Sequence, residues 1–281
     1  MQKYRMLRHA LVERDVLAPD ELYPVEPAPL AAPLRVHDAN YVHGFINGTM
    51  TAAEVRKMGF PWSKNLVART LASVNGTVRA AWAALDDGVS GNLAGGTHHA
   101  YRAEASGFCI FNDIAVAAET LLQAGAVERV LVFDADVHQG DGTAAIFAGD
   151  DRVFTCSIHG DKNFPFRKQQ SDLDVALPDG TGDSGFTIAV ERALKTCFDR
   201  VEPDILFFQA GVDGLAEDKL GRLSLTHEGM RHRDETVLVA ARRREVPIVL
   251  SLGGGYADPL DASIEAHVNT YRAVRAIFPG V

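Results

Sequence analysis

Cysteine is sparse in this chain of 281 residues: Cys109, Cys156 and Cys197 are odd in number and far apart, and none belongs to a Cys-x-x-Cys pair. That argues against a disulfide framework and a thiolate zinc site, and for a reducing compartment. Long apolar runs are missing as well, since no uninterrupted stretch approaches the ~18 residues a membrane span needs. The opening segment MQKYRMLRHALVERD has no apolar signal region and reads as an amphipathic helix, so the expected location is the cytoplasm. Positive charge is the minority sign: 28 Lys and Arg against 37 Asp and Glu give a formal charge of −9. Tight binding to a phosphate backbone needs clustered Lys and Arg, so nucleic acid is not an expected partner. Basic partners such as lysine-rich tails or polyamines are mildly attracted. No internal repeat or low-complexity tract appears, and 47% apolar with 23% charged residues is the composition of a globular protein, not a disordered one.

What is present alternates. The Pro-rich stretch Pro19–Pro33 reads as a loop inside one domain, because too little chain precedes it to form a core. Buried parallel strands are predicted at Val130–Phe133, Val153–Ser157, Ile205–Gln209 and Val246–Leu252 from short apolar runs bounded by Gly or Asp. Helices are predicted from a Ser63 cap to about Leu85, over Asn112–Ala124, Gly185–Val201 and Thr226–Arg244 with Thr226 as N-cap, and from about Asp258 to Ile277. Such alternation means α/β, here a single three-layer α/β/α domain over residues 1–281 with a mostly parallel central sheet. Ligands of such sheets gather beyond the carboxyl ends of the strands, so the residues that follow each strand matter most.

After Val130–Phe133 come Asp134, Asp136 and His138, which extended geometry with period two would point the same way. Two carboxylates and an imidazole on one side repel unless a cation sits among them, and this donor set suits zinc or iron(II). Asp213, just past Ile205–Gln209, supplies a third ligand if its strand adjoins the first; taken alone it is a turn residue or helix cap. Two Asp and one His leave a coordination position open for chemistry. His98 and His99 follow two glycines in a loop, where one could take a proton from water and its neighbour act as a cation. Each needs a carboxylate on its far nitrogen, with Asp134 and Asp141 as candidates; two unrelated surface histidines is the competing reading. The turn Gly253-Gly254-Gly255 delivers Tyr256 toward the cleft to meet a developing oxyanion, unless Tyr256 is ordinary packing.

In chain order, LRVHDANYV, GGTHHA, SGFCIFND, FDADVHQGDG, FQAGVDG and LGGGY resemble the zinc-dependent histone deacetylase family, with its arginase-like α/β fold, from about Leu34 to the C-terminus. Gln139 in HQGDG and the stretch LGRLSLTHEGMRHRD are most similar to the class IV, bacterial style. The resemblance implies Asp136, His138 and Asp213 as zinc ligands, and His98 and His99 as the tandem histidines, backed by Asp134 and Asp141. It implies Tyr256 as oxyanion donor, and Gly107, Phe108 and Phe166 as tunnel walls gripping an acyl-lysine stem. A structural potassium ion is implied at Asp134, Ser157 and the carbonyls of Asp136 and His138. Polyamine-directed relatives place an acid at the tunnel mouth; Leu220 stands at the comparable position, which favours a protein or peptide acyl-lysine over an acetylpolyamine.

Relatives usually begin with a strand and loop ahead of the helix read here at Lys3–Val12. Either the reading frame starts upstream, or the sheet is a strand short, with lowered stability or enforced association. Two other readings compete. A binuclear arginase-like ureohydrolase needs further bridging His and Asp ligands that DADVHQGD and AGVD do not supply. A non-catalytic reader of acyl-lysine needs no set that activates water.

Overall fold

The computed structural model describes residues 2–280. In chain order the elements are α1 (Gln2–Glu13), 3-10 turns at Pro19–Glu21 and Pro33–Arg35, α2 (Ala39–Asn47), α3 (Ala52–Met58), α4 (Lys64–Asp87), β1 (Val89–Asn92) and α5 (Asp113–Gln123). Then follow β2 (Val130–Asp134), α6 (Asp141–Ile146), β3 (Val153–Gly160), β4 (Leu173–Leu177), α7 (Asp183–Arg200), β5 (Ile205–Gln209), α8 (His227–Arg243), β6 (Ile248–Ser251) and α9 (Asp261–Ile277). The six strands form one sheet in the order β1-β6-β5-β2-β3-β4, every pair parallel. Two apolar cores cover its faces. One packs α1, α7, α8 and α9 onto Leu131, Phe133, Leu206 and Phe208; the other packs α2, α4 and α5 onto Val130, Val132, Phe207 and Val249. This is the expected three-layer α/β/α arrangement.

Local chemistry sets the helix starts. The Ser63 side chain accepts from Leu66 N–H at the head of α4, Asn112 from Ala115 N–H at α5, and Thr226 from Gly229 N–H at α8, each satisfying a donor the first turn leaves free. Pro24, Pro27 and Pro29 lie in a stretch without helix between the two 3-10 turns.

The central pair matters most for function. Strands β2 and β5 are buried along their whole lengths and lie side by side, with Asp134 opposite Gln209. The chain therefore leaves both strands at the same place, which brings the segment holding Asp136 and His138 beside the one holding Asp213.

Several boundaries differ from expectation. Strand β3 continues to Gly160, and β6 is trimmed to Ile248–Ser251. Strands β1 and β4 and helices α2, α3 and α6 were not anticipated. Strand β1 closes one end of the sheet, and beside it runs a groove of about 810 Å³ between α1, α4 and α9, lined by Tyr4, Arg8, Leu22, Arg79 and Tyr271 among others. Cys156 and Cys197, distant in sequence, lie in the same apolar core, and all three thiols are free.

Candidate metal centre and tandem histidines

Strand β2 stops at Asp134, and the residues after it bend. The Asp134 Oδ1 accepts from Asp136 N–H at 3.1 Å, and Asp136 Oδ1 accepts from His138 N–H at 2.9 Å. Short carboxylate side chains that bond the backbone two residues on form turns. The period-two expectation is thereby corrected: Asp134 does not share a face with Asp136 and His138 but turns to His98, while the latter two meet Asp213.

The donor atoms of Asp136, His138 and Asp213 all lie within 4.8 Å of one another. His138 Nδ1 is 3.1 Å from Asp136 Oδ1 and 3.1 Å from Asp213 Oδ2. A tetrahedral ion with bonds of ~2.0–2.1 Å has donor–donor edges of roughly 3.3 Å, and the two edges from His138 stand close to that spacing. Asp136 Oδ2 is buried without a hydrogen-bond partner, as expected of an oxygen that waits for a cation. The electrostatics agree. Burial opposes protonation of His138, yet Asp213 and Asp136 outweigh it and lift the imidazole to about 11. Burial and the charge of Asp136 push Asp213 up to about 6. The paired carboxylates favour positive charge at this spot, and a divalent ion fits the donors. Gly254, at φ +59°, closes over the cluster, and a Cβ there would strike both carboxylates.

The tandem histidines are set by the first turn of α5. Asp113 accepts from Thr97 N–H at 2.7 Å and Gly96 N–H at 3.1 Å, fixing the Gly95-Gly96-Thr97 loop. His98 Nδ1 donates to Asp134 Oδ2 at 2.6 Å, and His99 Nδ1 to Asp141 Oδ1 at 2.5 Å. Tyr101 Oη donates to the other oxygen of Asp141 at 2.7 Å. The rings are 4.1 Å apart, and His98 Nε2 reaches to 3.9 Å from Asp136. Their protonation is split. Burial resists charging His98, but Asp134 and Asp136 override it and raise the group to about 9. Burial and the neighbouring His98 charge lower His99 to about 4, against the pull of Asp141. The two environments push the imidazoles in opposite directions, His98 toward the cation and His99 toward the neutral ring, as an acid/base pair needs.

Tyr256 follows the glycine turn and is 44% exposed, its N–H bonded to Asp218 Oδ2 at 2.5 Å. Burial, with nearby charges that include Asp213 and Asp136, raises its hydroxyl above the ordinary range and keeps it a donor. Asp218 also accepts from Leu220 and Gly221 N–H, at 2.8 and 2.9 Å, so one buried carboxylate ties the Leu220–Gly221 segment to the tyrosine loop. Lys3, buried on α1, donates to the Gly254 carbonyl and lies 5.4 Å from the Tyr256 ring centre. Lys3, Tyr101, Asp113 and Asp218 were all missed in the sequence. Only Asp113 left a signal, as the residue after a helix cap.

Gly107 and Phe108 adopt φ +52° and 62°, and Phe108 is half exposed at the mouth. Leu220 is likewise half exposed. The expected wall residue Phe166 is a correction: it is 89% exposed, whereas Phe164 stands edge-on to His99 with ring centres 5.0 Å apart. Ser157 is lateral neighbour to Asp134 across β2 and β3, and its Oγ is 3.0 Å from His159 Nδ1. Gln139 is a buried strut, donating to Gln169 O and Asp174 Oδ1 at 2.7 and 2.8 Å.

Fold and site together define a class: parallel α/β proteins with a cation-ready cluster at the strand ends beside carboxylate-backed imidazoles. The comparisons narrow it. The family described as "Histone deacetylase domain" matches residues 1–271, and the chain belongs to that family, whose members and fold are those of hydrolytic deacetylases. It is 41% identical over 278 residues to an uncharacterised protein of Picosynechococcus sp., covering 99% of this chain and 93% of the relative. It is 28% identical to histone deacetylase 2 of Arabidopsis thaliana, covering 79% of this chain and 60% of that protein. With histone deacetylase RPD3 of Saccharomyces cerevisiae it shares 36% identity over 60% of this chain and 40% of the yeast protein. Among solved structures, a histone deacetylase homologue complexed with SAHA superposes with a TM-score of 0.82 at 26% identity, over 96% of this chain and 76% of that one. A homologue from Aquifex aeolicus gives 0.81 at 25%, with the same coverage. Among the described residues no helix is long and apolar enough to cross a membrane.

Proposed function

We propose that the chain is a zinc-dependent lysine deacylase, acting in the cytoplasm on the ε-amide of acetyl-lysine or a longer acyl-lysine in proteins or peptides. The observation that carries this reading is the pair His98 and His99, each bonded to its own buried carboxylate, beside the Asp136–His138–Asp213 cluster. Asp136, His138 and Asp213 would hold a zinc ion, with iron(II) as the alternative, and such an ion would supply Lewis acidity toward water and the amide carbonyl. His99, oriented by Asp141, would take a proton from the attacking water at Nε2 and deliver it to the departing lysine amine. His98, held cationic by Asp134, adds positive charge where negative charge develops. The Tyr256 hydroxyl donates to the forming oxyanion. Phe108 and Phe164 flank the aliphatic stem, and Gly107 leaves room for the His99 ring, which a Cβ would strike. The same reading assigns a structural potassium ion to Asp134, Ser157 and the carbonyls of Asp136 and His138.

Leu220 favours a peptide over a polyamine, because an apolar side chain gives a second ammonium no countercharge. Asp218 is turned inward onto backbone N–H groups and Asp258 pairs with Lys219 at 2.7 Å, so neither stands free to replace it. The test is turnover by zinc-reconstituted protein of acetyl-lysine peptides, a graded series of longer acyl-lysines, and acetylspermidine. Peptide turnover well above that of acetylspermidine is expected. A strong polyamine preference overturns the substrate assignment, and saturable binding without hydrolysis across the panel overturns the enzyme.

A further inference from the structure

Beneath the metal centre lies a cation that the chemistry above does not use. Arg233 on α8 is buried, and its guanidinium bonds three backbone carbonyls. Nη1 donates to Ala135 O at 3.1 Å and to Gly211 O, and Nη2 reaches Ala210 O at 3.4 Å. Ala135 sits between Asp134 and Asp136; Ala210 and Gly211 lead directly to Asp213. One rigid fork thus spans the two chain segments that deliver the ligands, at the point where they touch: a Cβ on Gly211 would run into the Asp136 carboxylate. The fork is itself held. Nε and Nη2 bond Asp234 Oδ1 at 2.8 and 2.7 Å, Thr270 Oγ1 on α9 donates to Asp234 Oδ2 at 2.6 Å, and the Phe208 ring lies 5.5 Å from the guanidinium carbon.

We infer that Arg233 is a positioning residue for the metal centre, clamping the two ligand segments at the separation a bound ion requires. The inference rests on reading Asp136, His138 and Asp213 as metal ligands. Two facts make the role specific. Carbonyls at the ends of parallel strands have no further strand to pair with, and a planar guanidinium with five fixed donors can satisfy several of them together where an ammonium cannot. The repulsion between Asp136 and Asp213, which would drive the segments apart without the ion, is opposed by an anchor that does not compete for the carboxylate oxygens.

The test is Co²⁺ titration of metal-free protein, followed by visible d–d absorption, with thermal midpoint measured alongside. Arg233→Lys keeps the charge but cannot span both segments; its Co²⁺ dissociation constant should rise ~10–100-fold, the usual cost of removing an outer support of a metal site, and the band shape should change. Thr270→Val frees only the far side of Asp234; it should lower the thermal midpoint with Co²⁺ affinity within about twofold of wild type. If Arg233→Lys proves too unstable, Asp234→Asn, which leaves the guanidinium but loosens its aim, should weaken Co²⁺ in the same direction. Folded Arg233→Lys or Asp234→Asn protein with wild-type affinity and spectrum overturns the positioning role and leaves a structural one. Wild-type protein that binds no Co²⁺ overturns the metal reading first and this inference with it.

Discussion

Asp141→Asn isolates what a carboxylate behind His99 does. The replacement is nearly isosteric: an amide oxygen can still accept from His99 Nδ1 at the 2.5 Å position, and Tyr101 can still occupy the other side. What disappears is the charge. A hydrogen bond to an ionised partner is worth ~1.5–3 kcal/mol. At ~1.4 kcal/mol per tenfold, loss of that stabilisation as His99 becomes cationic in the transition state should lower kcat by roughly 10- to 150-fold. The direction of the pH effect follows as well. Burial and His98 already hold His99 near 4, and Asp141 is the group that pulls it upward. Without Asp141 the imidazole is a weaker base, so the acid limb of kcat/KM should move to lower pH while the plateau falls. Steady-state kinetics on a fluorogenic acetyl-lysine peptide from pH 5 to 9 read both quantities. A variant with undiminished kcat and an unmoved acid limb would refute the reasoning, and with it the assignment of His99 as base.

Three further outcomes are expected. Tyr256→Phe should keep its fold and its zinc, measured by elemental analysis, but lose ~10²–10³ in turnover; full activity removes Tyr256 from the mechanism. Leu220→Glu should raise turnover of acetylspermidine relative to acetyl-lysine peptide, and an unchanged ratio means Leu220 does not face the incoming substrate. Stability should fall on acidification through His37, whose Nδ1 bonds the Tyr101 carbonyl while Nε2 accepts from Asn112 N–H, so that no site is left for a second proton. Burial lowers the folded group from 6.5 to about 4, so the unfolded chain binds the proton more readily: this contribution is complete above pH ~6.5 and is lost as pH drops toward 4. The shift corresponds to an order of 3 kcal/mol. His159, lowered likewise, adds to the same slope. Urea midpoints that stay flat between pH 7 and 5 contradict it.

The sequence showed the centre of the sheet clearly and its margins poorly, for a physical reason. Strands β2 and β5 are buried on both faces and read as continuous apolar runs, but β4 alternates half-exposed residues and β1 is Val-Ser-Gly-Asn, with no run to see. Helix α4 announced itself with Ser63, whereas α3 is short and rests on the reciprocal bonds of Thr51 and Glu54. At the site, the residues on loops next to buried strands were legible because their chemistry is dense. The bend after Asp134 was not, since it depends on which way each carboxylate turns. Phe164 and Phe166 are equivalent in composition and differ only in which ring the loop directs onto His99. Lys3 bonds the Gly254 carbonyl and Asp218 the Tyr256 N–H, both far along the chain, a relation that no local pattern encodes.

The recessed position of β1 has a bearing on solubility. An unpaired strand at the rim of a sheet is a template for other chains, and proteins commonly guard it with charge or cover. Here the rim lies at the bottom of a trench whose walls are helices and whose sides carry Arg5, Arg8 and Arg79. Another folded copy approaching broadside would collide with those walls before its own backbone came within hydrogen-bonding range. An added strand would have to enter between α1, α4 and α9 to reach the backbone of β1.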